Sequence, residues 1–261
     1  MPSLVAQERA AVAPDRWFRR VGPAATTARM RLFCFHHAGG SPAMFRGWPK
    51  LLPPGVSVEP VLLPGRDARF REEPYDRMGP LVEGIVQALT PRLDRPYALF
   101  GYSMGAQVSF HVAHALRQSG LPQPAALFVG ASPGPRLQRE VPAWDKPDSH
   151  LVAYLRDLGG TPADVLESAD LLALMLPTLR ADLTTVATCP YTPRPPLTMP
   201  VHAFSGRDDP SASPERMRVW QEETEGEFRQ TVLPGGHMFL DAELSTVTST
   251  LADGLKTLGV V

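Results

Sequence analysis

Apolar residues in this 261-residue chain gather into short unbroken runs, and the stretches between several of them repeat with a helical period. Met30-Arg31-Leu32-Phe33-Cys34-Phe35 is the first run and Val56 to Leu63 the second; Tyr97 to Phe100, Ala125 to Gly130, Val201 to Phe204 and Phe228 to Leu233 follow. Runs of this length bounded by turn residues fit strands buried on both faces. Between the second and third runs Leu81, Ile85 and Leu89 recur every four residues with Val82 and Val86 beside them, and Ala106 to Leu116 reads as another helix. The alternation predicts an α/β fold with a mostly parallel sheet flanked by helices. In such folds ligands sit beyond the carboxyl ends of the strands.

One stretch breaks the rhythm. About seventy residues separate the run ending at Gly130 from the one starting at Val201, too many for a bare connection. Leu151, Leu155 and Leu158 share a helical face, and Leu171 to Leu176 forms a second apolar block that Pro177 is expected to stop. Prolines 133, 135, 142 and 147 precede these blocks and 190, 193, 195 and 196 follow them. The segment 133–196 is therefore expected to be a helical lid inserted over the strand ends. The alternative is a pair of packing helices that only thickens the domain.

Length and charge restrict what surrounds this core. The chain suits one domain, 1–261, and its 26 basic and 27 acidic residues nearly cancel, so no global field points to nucleic acid or an anionic membrane. The opening Met1 to Arg20 is too charged for a signal-peptide core, and no later run is of membrane-spanning length. With two cysteines, Cys34 inside an apolar run and Cys189, no disulfide framework is suggested. A cytoplasmic protein is expected, with Cys34 an inert core residue.

The chemistry centres on Gly101-Tyr102-Ser103-Met104-Gly105, which joins a strand-like run to a helix-like one. A sharp strand-to-helix turn forces its serine into a strained position and presents the hydroxyl at the sheet's carboxyl end; the glycines permit the close backbone approach. A serine needs a base and an orienting acid, which follow it in the order acid, then histidine. Ser205-Gly206-Arg207-Asp208-Asp209-Pro210 lies after one strand and Pro234-Gly235-Gly236-His237 after the next. Of seven histidines only His237 satisfies both order and loop position: His36 and His37 precede the serine, His111 and His114 lie on its helix, His150 falls in the lid and His202 in a strand. Asp209 is preferred to Asp208 as the acid because Gly206 tightens the turn and Pro210 fixes the chain directly after it. Oxyanion donors are expected at the amides of Met104 and of Ala38, the latter within His36-His37-Ala38-Gly39-Gly40; the bland reading of Gly39-Gly40 is a flexible turn. His111-Val112-Ala113-His114 lacks a third ligand and reads as a helix surface rather than a metal pair.

Across nearly its whole length the sequence resembles the stand-alone type II thioesterases of polyketide and nonribosomal peptide synthesis, members of the α/β-hydrolase fold. The segments that carry this are Phe35 to Gly40 with Phe45, Leu63-Pro64-Gly65-Arg66, Gly101 to Gly105, Pro234 to Leu240, and in the lid Leu158 to Pro162 and Leu179-Arg180-Ala181-Asp182. The resemblance implies a Ser103, Asp209, His237 triad with donors at Ala38 and Met104, and no metal or cofactor. It implies hydrolysis of acyl groups from the phosphopantetheine arm of an acyl or peptidyl carrier protein, so that aberrant or stalled units are cleared. The protein is expected to work as a monomer. Arg66, Arg69 and Arg71 are either carrier contacts or a solvated charged loop, and Leu172, Met175 and Leu176 either line an acyl chamber or form lid core. Rival functions are a carboxylesterase of small free esters, an acyltransferase or cyclase, and a non-catalytic carrier-binding partner.

Overall fold

The computed structural model describes residues 14–19, 21, 28–137, 141 and 143–259. Most of Met1 to Arg20, and Pro142 in the proline-flanked insertion, lie outside these.

Six strands form one sheet: β1 (Met30–Phe35), β2 (Val56–Pro60), β3 (Tyr97–Tyr102), β4 (Leu127–Gly130), β5 (Val201–Gly206) and β6 (Phe228–Leu233). Their order is β2-β1-β3-β4-β5-β6 and every neighbouring pair is parallel. Helix α1 (Met78–Leu89) precedes β3, α2 (Met104–Gln118) follows it, α6 (Pro214–Arg218) links β5 to β6, and α7 (Leu244–Thr257) closes the described chain. The second apolar run is strand only to Pro60; Val61 to Leu63 stay buried beyond it, with Val61 N–H still donating to Cys34 O of β1 at 2.9 Å.

Strand alternation divides the core between the two sheet faces. In β1, Phe33 and Phe35 join α1 and α2 residues such as Ile85 and Val112, whereas Met30, Leu32 and Cys34 join Trp48, Val247 and Leu251 on the other face. Burial raises the Cys34 thiol well above its ordinary pKa, as an inert core cysteine requires. The strand order reverses between β1 and β3, and the loops following these two strands meet where open α/β sheets bind ligands.

Between β4 and β5 lie α3 (Asp148–Leu158), α4 (Ala163–Glu167) and α5 (Ala169–Ala187), with a separate small core of Leu151, Leu155, Leu176, Leu179 and Leu183. Pro177 does not end the second block: it sits inside α5, which runs ten residues further. A mid-helix proline forfeits a hydrogen bond and costs ~3 kcal/mol. Side-chain anchors offset that loss here. Thr178 Oγ1 donates to Gly65 O at 2.8 Å, Asp182 pairs with Arg66, and Thr185 Oγ1 donates to Tyr75 O at 3.0 Å. Leu172 and Met175 pack on the same small core as buried Leu176.

Candidate active site

Ser103 is the one residue between β3 and α2, with φ 54° and ψ −115°. Such a backbone is costly for a residue with a Cβ and marks a site that the surrounding structure holds in place. The flanking glycines explain how. A Cβ on Gly101 would lie 2.2 Å from Gly105 O, and one on Gly105 would lie 2.2 Å from Phe35 O. Both pairs of backbone segments touch without side chains between them, which fixes the α2 N-terminus against the end of β1.

The turns after β5 and β6 are joined backbone to backbone. Arg207 N–H donates to Leu233 O and Asp208 N–H to Gly235 O, and a Cβ on Gly206 would meet Gly236 O at 2.4 Å. Gly235 has φ +95°. This contact carries Asp209 to His237: Nδ1 of the imidazole lies 2.8 Å from Asp209 Oδ2, and Nε2 lies 2.9 Å from Ser103 Oγ. A carboxylate only accepts, so Nδ1 holds the proton and Nε2 is free to accept from the serine hydroxyl.

Asp209 is buried and also accepts from Ser211 Oγ, Ser211 N–H and Ala212 N–H at 2.7, 2.9 and 3.1 Å. Burial works to raise its pKa, but the hydrogen bond and charge of His237, helped by Ser211 and Ala212, hold it below the usual aspartate range. Asp208 is exposed. Of the two candidate acids, the fold brings Asp209 to the histidine. Ser211 was not singled out in the sequence, although a serine two residues after an aspartate is a recognisable turn partner for its carboxylate.

Ala38 and Met104 border the same cavity as Ser103 and His237. Met104 N–H is the first amide of α2 and has no acceptor within the helix. Among the described residues, Ala38 N–H donates to no protein acceptor, while the rest of its loop is tied. His37 Nδ1–H donates to Ala38 O, Gly40 N–H to His37 O, and Gly39 N–H to Asp182 Oδ2 at 2.8 Å. The cavity holds about 630 Å³ and is walled by Pro133, Tyr154, Leu158, Leu183 and Val186 among others. Leu172, Met175 and Leu176 do not reach it; they belong to the core of the insertion.

Two of the three arginines considered as carrier contacts are internal. Arg66 is buried in a two-pronged ion pair with Asp182 at 2.7 and 2.8 Å, and Arg69 is buried under Trp17, its guanidinium 4.3 Å from the ring centroid and bonded to Glu72. Only Arg71 is exposed. The run Leu62-Leu63-Pro64 draws Arg66 and Arg69 inward where carboxylates await them, which charge counting along the loop could not reveal. His114 likewise leaves the helix surface: it is buried, its ring edge-on to Phe110, while His111 faces Cys189 Sγ at 3.4 Å. Among the described residues no group of His, Cys, Asp and Glu side chains is arranged to hold a metal ion, and no helix is long and apolar enough to cross a membrane.

The thioesterase domain profile matches residues 30–254. The chain belongs to the thioesterase family. It is a hydrolase of the serine thioesterase kind, on the α/β-hydrolase fold. The RedJ thioesterase from the prodiginine pathway of Streptomyces coelicolor is 42% identical, with a TM-score of 0.84 over 88% of this chain and 91% of that one. The type II thioesterase BorB from the borrelidin cluster is 35% identical, with a TM-score of 0.82 over 91% and 96%. Linear gramicidin dehydrogenase LgrE of Brevibacillus parabrevis is 37% identical over 92% of this chain and 94% of its own length. Taken together, the relatives mark the protein as a type II thioesterase of nonribosomal peptide and polyketide pathways.

Proposed function

We propose that the protein hydrolyses acyl groups from the phosphopantetheine arm of acyl or peptidyl carrier proteins, clearing aberrant or stalled units, through a Ser103, His237, Asp209 triad. The observation that carries this is the continuous hydrogen-bonded line from Asp209 through His237 to Ser103 at the wall of the cavity. His237 Nε2 takes the Ser103 proton as Oγ attacks the thioester carbonyl, and the oxyanion is met by the amides of Ala38 and Met104. When the tetrahedral intermediate collapses, the C–S bond breaks and the pantetheine sulfur leaves with the proton from His237. Water then attacks the acyl-serine, losing its proton to the imidazole, and a carboxylic acid and free Ser103 result. Asp209 holds the tautomer and stabilises the imidazolium during both halves.

The segment 133–196 acts as the lid of this site, since Tyr154 and Leu158 of α3 and Leu183 and Val186 of α5 supply cavity walls. A cavity of about 630 Å³ falls in the range of small-molecule pockets and accommodates an acyl group with part of the arm. The test compares kcat/KM for an acyl-phosphopantetheine carrier protein with that for a free oxygen ester of the same acyl group. Strong preference for the carrier supports the proposal; preference for the free ester supports a carboxylesterase.

The name of LgrE favours a second reading, reductive chemistry on the same scaffold. Hydride transfer calls for a nicotinamide seated at a glycine-rich βα turn, whereas the turn after β1 here is His36-His37-Ala38-Gly39-Gly40 and the one after β3 presents a base-paired serine. Acyl release from a carrier without NADH or NADPH decides for hydrolysis. Release that requires either nucleotide decides for reduction.

A further inference from the structure

The loop that carries Ala38 is held by a residue of helix α5, in the insertion between β4 and β5. Asp182 lies in the half of α5 that follows Pro177, is buried, and spends both carboxylate oxygens. Oδ2 accepts Gly39 N–H at 2.8 Å and Arg66 Nη1–H at 2.7 Å, and Oδ1 accepts Arg66 Nη2–H at 2.8 Å. Arg66 Nη1 also donates to Gly40 O at 3.1 Å, so the cation that fixes Asp182 grips the loop as well. Gly39 needs its left-handed backbone, φ +71°, and Leu179 of the same helix would stand 3.2 Å from any Cβ placed there.

We propose that Asp182 is a positioning residue for acyl transfer: by holding Gly39 N–H it orients the adjoining peptide so that the preceding amide, Ala38 N–H, faces the oxyanion. This rests on the reading of Ala38 as a donor. Each peptide is planar, and the two that meet at Ala38 are both tied: Gly39 N–H to Asp182 and Ala38 O to His37 Nδ1 on one side, His37 O to Gly40 N–H on the other, so rotation about Ala38 is restrained. Asp182 thereby couples the insertion that walls the chamber to the charge-stabilising loop. An unpaired amide aimed at an oxyanion is effective only if its direction is set before the reaction. Helix α5 sets it through one carboxylate.

The experiment follows turnover of an acyl-pantetheine thioester and the affinity of a boronic acid, which adds to a serine hydroxyl and places an oxygen where the oxyanion forms. Four proteins are compared: wild type, Asp182→Asn, the apolar pair Arg66→Met with Asp182→Leu, and Arg66→Lys. The apolar pair leaves no buried charge uncompensated, so it guards against a variant that merely fails to fold. Thermal melting reports folding for each. Asp182→Asn and the apolar pair are expected to lose about 10- to 100-fold in kcat with KM nearly constant, and boronate affinity is expected to fall in parallel. Arg66→Lys keeps a cation beside Asp182 and the Gly39 bond but loses the two-pronged pair and its grip on Gly40 O, so it is expected to lower kcat, though by less than Asp182→Asn does.

Unchanged kcat in a folded Asp182 variant overturns the proposal. So does a loss of kcat with full boronate affinity, or a loss in Arg66→Lys as deep as in Asp182→Asn. If wild type itself leaves the thioester intact, the thioesterase reading fails instead, and boronate affinity across the four proteins still decides whether Asp182 orients the loop.

Discussion

The Tyr102 hydroxyl donates to the backbone carbonyl of His237 at 2.5 Å. It spans from the residue before Ser103, the proposed nucleophile, to His237, the proposed base. Burial, outweighing any other influence, raises the Tyr102 pKa far beyond its ordinary value, so the hydroxyl remains a donor at all working pH values. Its ring also packs edge-on against Phe239, 5.3 Å between centroids. Tyr102→Phe keeps that packing and removes the bond alone. It is expected to lower kcat by about 2- to 12-fold and the melting temperature by only a few degrees, since a single hydrogen bond is worth ~0.5–1.5 kcal/mol. Steady-state kinetics beside thermal melting checks this.

Asp209→Asn removes the acceptor that holds His237 in its tautomer, and a loss of about 10³ to 10⁴ in kcat is expected. Asp208→Asn, on the exposed face of the turn, is expected to change kcat by less than about threefold, surface changes away from such features being small. Equal losses at the two positions would remove Asp209 from the proposed triad.

The strand runs, their alternation with helices, the elbow and the histidine loop were legible in sequence because each is local: an apolar run, a glycine pair, a serine between strand and helix. Pro210, which limits the chain next to it, is the local signal for Asp209, whose carboxylate lies 2.8 Å from His237 Nδ1. What local reading could not supply was direction. Arg66 and Asp182 lie 116 positions apart, and only the path of α5 past the β1 loop joins them. Pro177 reads as a stop because propensity is local, whereas the anchors at Thr178, Asp182 and Thr185 that carry the helix through it are tertiary. His114 reads as surface for the same reason.

The strain at Ser103 gives a stability prediction that opposes activity. Ser103→Ala keeps the φ 54° conformation with a Cβ, whereas Ser103→Gly relieves it. Relief of ~1–3 kcal/mol outweighs the ~0.5–1 kcal/mol entropy cost of glycine, so the glycine variant is expected to be the more stable by about 1 kcal/mol. Both are expected to be inactive. Denaturant melts of the two proteins measure the difference.

Stability is also expected to depend on pH through His114. Burial, then the charges of Arg117 and Arg194, lower its pKa to about 4, from about 6.5 when unfolded. Between these values the unfolded chain binds a proton that the folded chain excludes. The contribution is therefore whole above pH 6.5, falls as pH drops toward 4 by up to ~1.4 kcal/mol per unit, and is flat below. His114→Gln is expected to lose less stability than wild type between pH 7 and pH 5. Urea midpoints at the two pH values report it, and equal losses would show that His114 is not the group responsible.

The most direct test of the central claim is rapid-quench intact mass spectrometry of the enzyme and an acylated carrier protein in one mixture. The account predicts that the carrier returns to its free-thiol mass while a transient acyl adduct appears on the enzyme, mapped by peptide analysis to Ser103 and absent in Ser103→Ala. A carrier that keeps its acyl group, or one that loses it equally fast with Ser103→Ala, would contradict the account.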